Sequence, residues 1–273
     1  MTRLITSTFL ILFAVSSAVN AQSPSTLKPH MAIPGKIVLQ NDFSVAKPLK
    51  KGVWQSRQGT RWTIEDGVLR GRESSPEFQA NRKDHFGYEP RLSIPVTPAE
   101  FVAKFSFRFV GGDETAIVPF IEFGHHVCRV RFSKGGATLL SDGETMKLAE
   151  AKDFAWKSGK WYHALAEMKN DEFLIQIADG PTLYGQRDSF AKDPTSGGNG
   201  FGIAGPKHGV VEIDNLTISA VKAATQPSWN AHKATLPKFK PIQIKQPRVK
   251  KPKAKADNSA KNRTSRSPKR IGD

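Results

Sequence analysis

The chain predicts an all-β protein, a two-sheet antiparallel jelly-roll sandwich followed by a disordered basic C-terminal tail. Three observations carry this expectation. Apolar and polar residues alternate with period two in short runs. Turn pairs such as Asp-Gly and Asn-Asp separate those runs at intervals of roughly 8–15 residues. Lysine, arginine and proline crowd into the last fifty or so residues, where aliphatic residues run out.

At the N-terminus, Met1-Thr2-Arg3 precedes a mostly apolar run from Leu4 to Val15 and the small-residue triplet Val19-Asn20-Ala21. This is the layout of a secretory signal peptide over residues 1–21. The apolar run is about 12 residues long, short of the ~20 that a membrane span needs; an uncleaved anchor is the competing reading. The expectation is an exported chain beginning near Gln22, with a linker over 22–36 and no membrane span after cleavage. Cys128 is the single cysteine, so no intramolecular disulfide forms, and its apolar surroundings suit a small core hydrophobe. Export without disulfides points to a bacterial envelope protein, periplasmic or extracellular.

Residues 37–222 have a length that one all-β domain fills. Trp62 to Gly71 reads as strand, Asp66-Gly67 turn, strand. Phe101-Val102-Ala103-Lys104-Phe105-Ser106-Phe107-Arg108-Phe109 puts aromatics on one face and Lys104, Ser106 and Arg108 on a wet one. Ile117 to Phe123 and Val127 to Phe132 form a second hairpin around Gly124-His125-His126. Further strands are predicted at Thr138 to Leu140, Trp161 to Met168, Phe173 to Ile177, Gly200 to Ala204 and Val210 to Ile218. Helical spacing appears only weakly, around Met146 to Phe154. Trp62, Trp161 and the Phe stripe are read as core, and the Asp-Gly pairs at Asp66, Asp142 and Asp179 as turn chemistry. There is no internal repeat, which argues against a propeller.

The 41 Lys and Arg against 25 Asp and Glu give a net charge of +16. Residues 223–273 hold 14 of these cations against Asp257 and Asp273, a net of +12. Residues 22–222 are almost balanced. The segment 223–273 is expected to be disordered, because its like charges repel and it has too little apolar surface to offset ordering. Its partner is then an anionic envelope polymer held electrostatically. Nucleic acid is disfavoured by the export signal and by the lack of interleaved aromatics for stacking.

The order of segments carries a resemblance. Asn41-Asp42-Phe43 leads to the Trp62 to Leu69 hairpin, then to the Phe-rich strand and His126-Val127-Cys128-Arg129-Val130. Gly159-Lys160-Trp161-Tyr162-His163 with Glu167 follows, then Ile177-Ala178-Asp179-Gly180, Gly200-Phe201-Gly202-Ile203 and Val211 to Leu216. This resembles the concanavalin A-like jelly-roll domains of exported planctomycete-type proteins, and among them the 3-keto-disaccharide hydrolase family. The resemblance spans roughly residues 38–220. It implies a glycan or polysaccharide partner and, in some members, hydrolysis of oxidised disaccharides. It supplies no catalytic motif to carry over.

From the residues themselves, the chemistry gathers between Ile121 and Arg131. Alternation puts Val127, Arg129 and Arg131 on one strand face and Cys128, Val130 and Phe132 on the other. Arg129 and Arg131 are therefore the candidate ligand-binding residues, suited to sugar hydroxyls or carboxylates. A surface ladder of Arg–Glu pairs is the plainer reading. Glu122 and His126 are the candidate catalytic residues, with Glu122 as proton shuttle. His125-His126 lacks the spacing of a zinc site. Glycoside hydrolysis needs two carboxylates, and no second acid follows Glu122 at i+2 or i+4. Glu65, Asp113, Glu114 and Glu167 reach it only through tertiary folding. No nucleophile elbow, phosphate loop or dinucleotide fingerprint occurs, so no cofactor is expected. Asp214-Asn215 inside the last strand reads as a turn cap or an Arg partner. Alternatively, Asp214 and Asp42 hold a structural Ca²⁺ between terminal strands, although Ca²⁺ wants six to eight oxygens. The sequence leaves open two functions: a jelly roll that binds glycan, with or without hydrolysing it, or a non-catalytic envelope module that adsorbs through its tail.

Overall fold

The structure, a computed structural model, describes residues 27–113, 119–124, 126–191 and 200–245. The signal-like segment 1–21, Glu114, Ile117, His125 and the basic residues beyond 245 lie outside the described residues. In chain order the elements begin with β1 (Ala32–Asn41), β2 (Gln55–Ser56), β3 (Thr60–Glu65), β4 (Val68–Ser74), α1 (Pro76–Ala80), β5 (Arg91–Ile94) and β6 (Phe101–Val110). They continue with β7 (Phe120–Phe123), β8 (Cys128–Ser133), β9 (Gly136–Ser141), β10 (Met146–Lys152), β11 (Tyr162–Lys169), β12 (Glu172–Ile177) and β13 (Thr182–Gln186). A 3₁₀ turn at Asp188–Ala191, β14 (Phe201–Ala204), β15 (Val210–Thr225), α2 (Trp229–Thr235) and β16 (Ile242–Gln243) complete the series.

The strands form two antiparallel sheets packed as a jelly-roll sandwich. The first runs β13-β12-β11-β6-β15-β4-β3, with β1 pairing the second half of β15. The second runs β16-β10-β9-β8-β7-β14-β5-β2. Between them lies the core that the Phe alternation predicts: Phe101, Phe105, Phe107 and Phe109 all turn inward from β6. Phe101 stacks on Phe123 of the opposite sheet at 4.8 Å, and Phe105 meets Phe201 edge-on at 5.0 Å. Cys128 is a free, buried member of this core, and burial pushes its thiol pKa up.

The Asp66-Gly67 turn joins β3 to β4 with both residues at positive φ, 52° and 74°, as the tight hairpin requires. Trp62 lies over Gly71 on the neighbouring strand, where a Cβ would sit 2.6 Å from the indole ring. On the other face Glu65 accepts a fork from Arg72 at 2.9 and 2.7 Å and one bond from Arg70 at 2.8 Å. Glu212 in turn lies between Arg70 and Arg108.

Several expectations are corrected by packing. Trp161 is not a core residue: alternation along β11 sends Tyr162 inward, so Trp161 faces out, 4.7 Å beneath the Arg108 guanidinium. The face of β6 opposite the Phe stripe is only partly wet, since Ser106 is fully buried and hydrogen-bonded to His163 at 2.8 Å. Met146 to Lys152 is a strand, not a helical turn. A register shift between Lys147 and Ala149 puts Leu148 and Ala149 inside together, which breaks the period-two signal.

Both domain boundaries also move outwards. Part of the proposed linker is bound to the sandwich: the buried Glu167 carboxylate accepts the backbone N–H groups of His30, Met31 and Ala32 at 2.7–2.9 Å. Burial raises the Glu167 pKa, opposed by those three bonds. Within the tail expected to be disordered from 223, residues 223–245 carry the end of β15, α2 and β16. Trp229 of α2 is buried against Met31 and Leu174 and donates to Glu172 at 3.1 Å, while β16 pairs with β10. The few apolar residues of this segment suffice because they fall on a prepared surface.

Two outcomes follow. Gly71→Ala forces the Trp62 ring aside and is expected to cost about 1–3 kcal/mol in urea unfolding. The Arg72 fork first, then the Thr63 hydroxyl, hold the Glu65 carboxyl down from 4.5 to about 2. A depressed carboxylate contributes stability above its unfolded value and loses it as pH falls through the folded one. The melting temperature is therefore expected to fall as pH drops from 4.5 towards 2, with that component missing in Glu65→Gln.

Candidate functional site

The outer face of the second sheet carries two cross-strand rows. The first reads Gln55, Ser93, Gly202, Glu122, Arg129, Leu140 across β2, β5, β14, β7, β8 and β9. The second reads Arg91, Ala204, Phe120, Arg131, Thr138. Each residue is there because its neighbours Leu92, Ile121, Phe123, Cys128, Val130, Phe201 and Ile203 are drawn into the core.

Glu122 and Arg129, directly opposite each other, make the central pair at 2.5 Å, with side chains only 7% and 8% exposed. Glu144 completes the group from the β9–β10 turn, contacting Arg129 and lying 3.1 Å from Arg131. That turn is built by Asp142-Gly143 at positive φ, and the Gly143 N–H donates to the His126 carbonyl at 2.9 Å, joining two hairpin ends. Two guanidiniums approach the Phe120 ring, Arg129 at 3.9 Å and Arg91 at 5.0 Å from its centroid. Desolvation lowers the pKa of Arg129, opposed by the Glu122 charge and hydrogen bond. Desolvation also lowers that of Arg131, helped by the neighbouring Arg129 charge.

Gly202 decides how Glu122 lies. A Cβ there would stand 2.9 Å from Glu122 Cγ and 3.3 Å from Oε1. The missing side chain thus leaves room for the Glu122 chain over β14. Here the sheet opens into a cleft of about 470 Å³, with Glu122 and Ser93 among its walls and Gln55 and Arg57 from the edge strand. The segment between β4 and β5 closes one side with Arg82 and His85, and Arg91 closes another. The long loop from Ser74 to Arg91 therefore lines the cleft. Gln58 sits within 3.2 Å of His85 Nδ1, and with its amide oxygen turned to Arg91 accepts from Nη1 at 3.0 Å.

The expected site residues are thus only partly brought together. Glu122 lines the cleft. Arg129, expected as a ligand-binding residue, is enclosed in its ion pairs with Glu122 and Glu144 and is not among the cleft-lining residues. Arg131 is half-exposed beside Glu144 and does not line the cleft. His126 stands exposed in the β7–β8 turn at φ 62°, also away from the cleft lining. Glu65 and Glu167 belong to the outer face of the other sheet and do not oppose Glu122. Asp113 bridges to Lys207 at the end of β6. Sequence reasoning missed Gln55, Arg57, Arg91 and Ser93, whose strands pair only in the fold. The one available signal was Gly202 within Gly-Phe-Gly-Ile.

The terminal strands do bring Asp42 towards Asp214, whose pKa is raised by burial and further by the Asp42 charge. Asp214 accepts from the Asn215 backbone N–H at 2.7 Å and side-chain amide at 2.9 Å. Among the described residues no group of three or more His, Cys, Asp or Glu side chains is arranged to hold a metal. A larger space, about 670 Å³, lies between β13 and residues 233–241. One of its walls is the C-terminal segment, and Asp171, Gln186, Arg187 and Lys233 line it as well.

No family model matches the sequence, and no curated protein is significantly similar to it. Among solved structures, the apo form of Crh5 transglycosylase is similar at TM-score 0.46 and 12% identity, covering 73% of this chain and 90% of that one. SCLam, a non-specific endo-beta-1,3(4)-glucanase of family GH16, has TM-score 0.44 and 10% identity over 71% and 95% of the two chains. The carbohydrate-binding module CBM66 from Bacillus subtilis has TM-score 0.43 and 13% identity over 62% and 96%. These are likenesses of general architecture only. No helix among the described residues is long and apolar enough to cross a membrane.

Arg129→Met leaves Glu122 buried without its partner and is expected to destabilise the fold by about 3–5 kcal/mol. Replacing both, Glu122→Leu with Arg129→Met, is expected to recover most of that loss in the same urea titration.

Proposed function

We propose that the protein is an exported carbohydrate-recognition module that binds a glycan in the cleft on the outer face of the second sheet. The observation that carries this reading is the cleft's construction: Gln55, Ser93 and Glu122 stand in one cross-strand row on a sheet whose other face is sealed core, with Glu122 held by Arg129. Such groups meet hydroxyls without first having to be ordered. Arg129 holds one oxygen of Glu122, and the other is left beside Gly202 to accept a sugar hydroxyl.

The resemblance to 3-keto-disaccharide hydrolases supports a glycan partner and offers hydrolysis as the further step. Hydrolysis requires a second carboxylate across the scissile bond. Glu122 is the one acid in the cleft lining, and it is already committed to Arg129. Binding without turnover is therefore the reading we adopt. The basic residues beyond the last strand supply a separate, salt-sensitive adsorption to anionic envelope polymer.

A glycan array probed with the full chain, followed by calorimetry on its hits, tests the assignment. Gln55→Ala removes an exposed hydrogen-bonding group, and Gly202→Ser pushes Glu122 off β14. Each is expected to weaken binding by about tenfold, the worth of one or two hydrogen bonds. Binding untouched by both substitutions and abolished by high salt would assign it to the tail and sink the cleft reading.

A further inference from the structure

We propose that the saccharide recognised by this cleft carries carboxylates: its ligand is a uronate-containing glycan rather than a neutral one. The proposal rests on the glycan reading above and narrows it to a chemical class.

The argument is a matter of where the charges are spent. Arg57, Arg82 and Arg91 line the cleft together with a single acid, Glu122. That acid does not offset them, because its carboxylate is matched from behind by Arg129, a residue outside the lining. None of the three lining arginines has a carboxylate closer than 3.9 Å among the described residues. Arg57 donates to the amide oxygen of Gln55 at 3.3 Å and has no carboxylate within 4.0 Å among them. Arg82 lies 5.3 Å over the Phe78 ring and likewise has no carboxylate partner among them. Arg91 donates through Nη1 to the Gln58 amide oxygen at 3.0 Å, and its ion pair is with Glu89 at 3.9 Å, the outer limit of such contacts.

Phe120 seats Arg91 beside this group. Arg91 and Arg129 lie over its ring at 5.0 and 3.9 Å from the centroid, while the carboxylates of Glu122 and Glu144 go to Arg129. A guanidinium resting on a ring keeps its N–H edge available, and that planar edge matches a carboxylate. The cleft thus offers an excess of forked cationic donors beside acceptors for hydroxyls. A uronate ring presents that combination, a carboxylate and hydroxyls on one ring. The lining has no Phe, Tyr or Trp, so it lacks both a platform for the apolar face of a neutral sugar and one for a nucleobase.

The experiment is calorimetry on the full chain at physiological salt with three probes: a short oligogalacturonate, the same oligosaccharide with its carboxyl groups reduced to alcohols, and sodium sulfate. Wild type is compared with Arg57→Ala/Arg91→Ala, with circular dichroism melting to confirm folding. Arg82→Ala, on an exposed loop, repeats the test if the double variant melts early. The expected result is that wild type prefers the uronate to its reduced form by at least about tenfold, and that the variants bring this ratio towards one. Equal or tighter binding of the reduced oligosaccharide overturns the carboxylate inference while leaving the glycan reading intact. No binding of either saccharide overturns both. Uronate binding unchanged in the variants assigns it to the basic tail and overturns the inference. Sulfate binding as tight as the oligosaccharide makes the cleft a simple anion site and overturns it as well.

Discussion

The two sheets are clamped by phenylalanines that no strand can bury without turning its intervening residues outwards. Side chains alternate along a strand, so the inward commitment of Phe123, Cys128, Val130, Phe201 and Ile203 leaves Glu122, Arg129, Arg131 and Gly202 on the outer face. The register of β7, β8 and β14 then fixes which of these stand side by side. The site is thus a by-product of core packing in position, although its chemistry is independent of it.

Burial of charge gives that outer face its rigidity. An ion pair as enclosed as Glu122–Arg129 adds little net stability, since desolvation offsets most of the attraction, but losing one member is costly. Glu144 contacts a second nitrogen of the Arg129 guanidinium, and the Phe120 ring lies 3.9 Å from it, while Nε is buried without a partner. The consequence is a carboxylate held in one orientation over Gly202 and at the edge of an open cleft. The same device recurs on the other sheet, where Glu167 fixes the N-terminal lead-in through three backbone N–H groups. There it organises chain ends rather than a cleft.

Much of the framework was legible beforehand because it depends on local signals. The Asp66-Gly67 hairpin and the Phe stripe of β6 follow from turn chemistry and period-two alternation, and both are found. Trp161 was misplaced because an aromatic residue next to another, Tyr162, leaves the phase of the strand ambiguous. The bulge at Lys147 to Ala149 hid β10 in the same way, by interrupting alternation. The ends of the domain were drawn too tightly because Met31 and Trp229 are isolated apolar residues in polar sequence. They become core only against each other and Leu174.

By itself, then, the sequence determined the all-β sandwich, the inward face of most strands, the basic C-terminal composition and the candidacy of Glu122 and Arg129. The tertiary structure decided that Arg129 is a buried partner of Glu122. It also decided that Gln55, Arg57, Arg91 and Ser93 converge beside Glu122, and that α2 and β16 pack on the sandwich. The physical reason is range. Alternation and turns act over a few residues, whereas the cleft is assembled across strands β2, β5, β14 and β7, separated in sequence by up to about 150 positions and joined only by inter-strand hydrogen bonds.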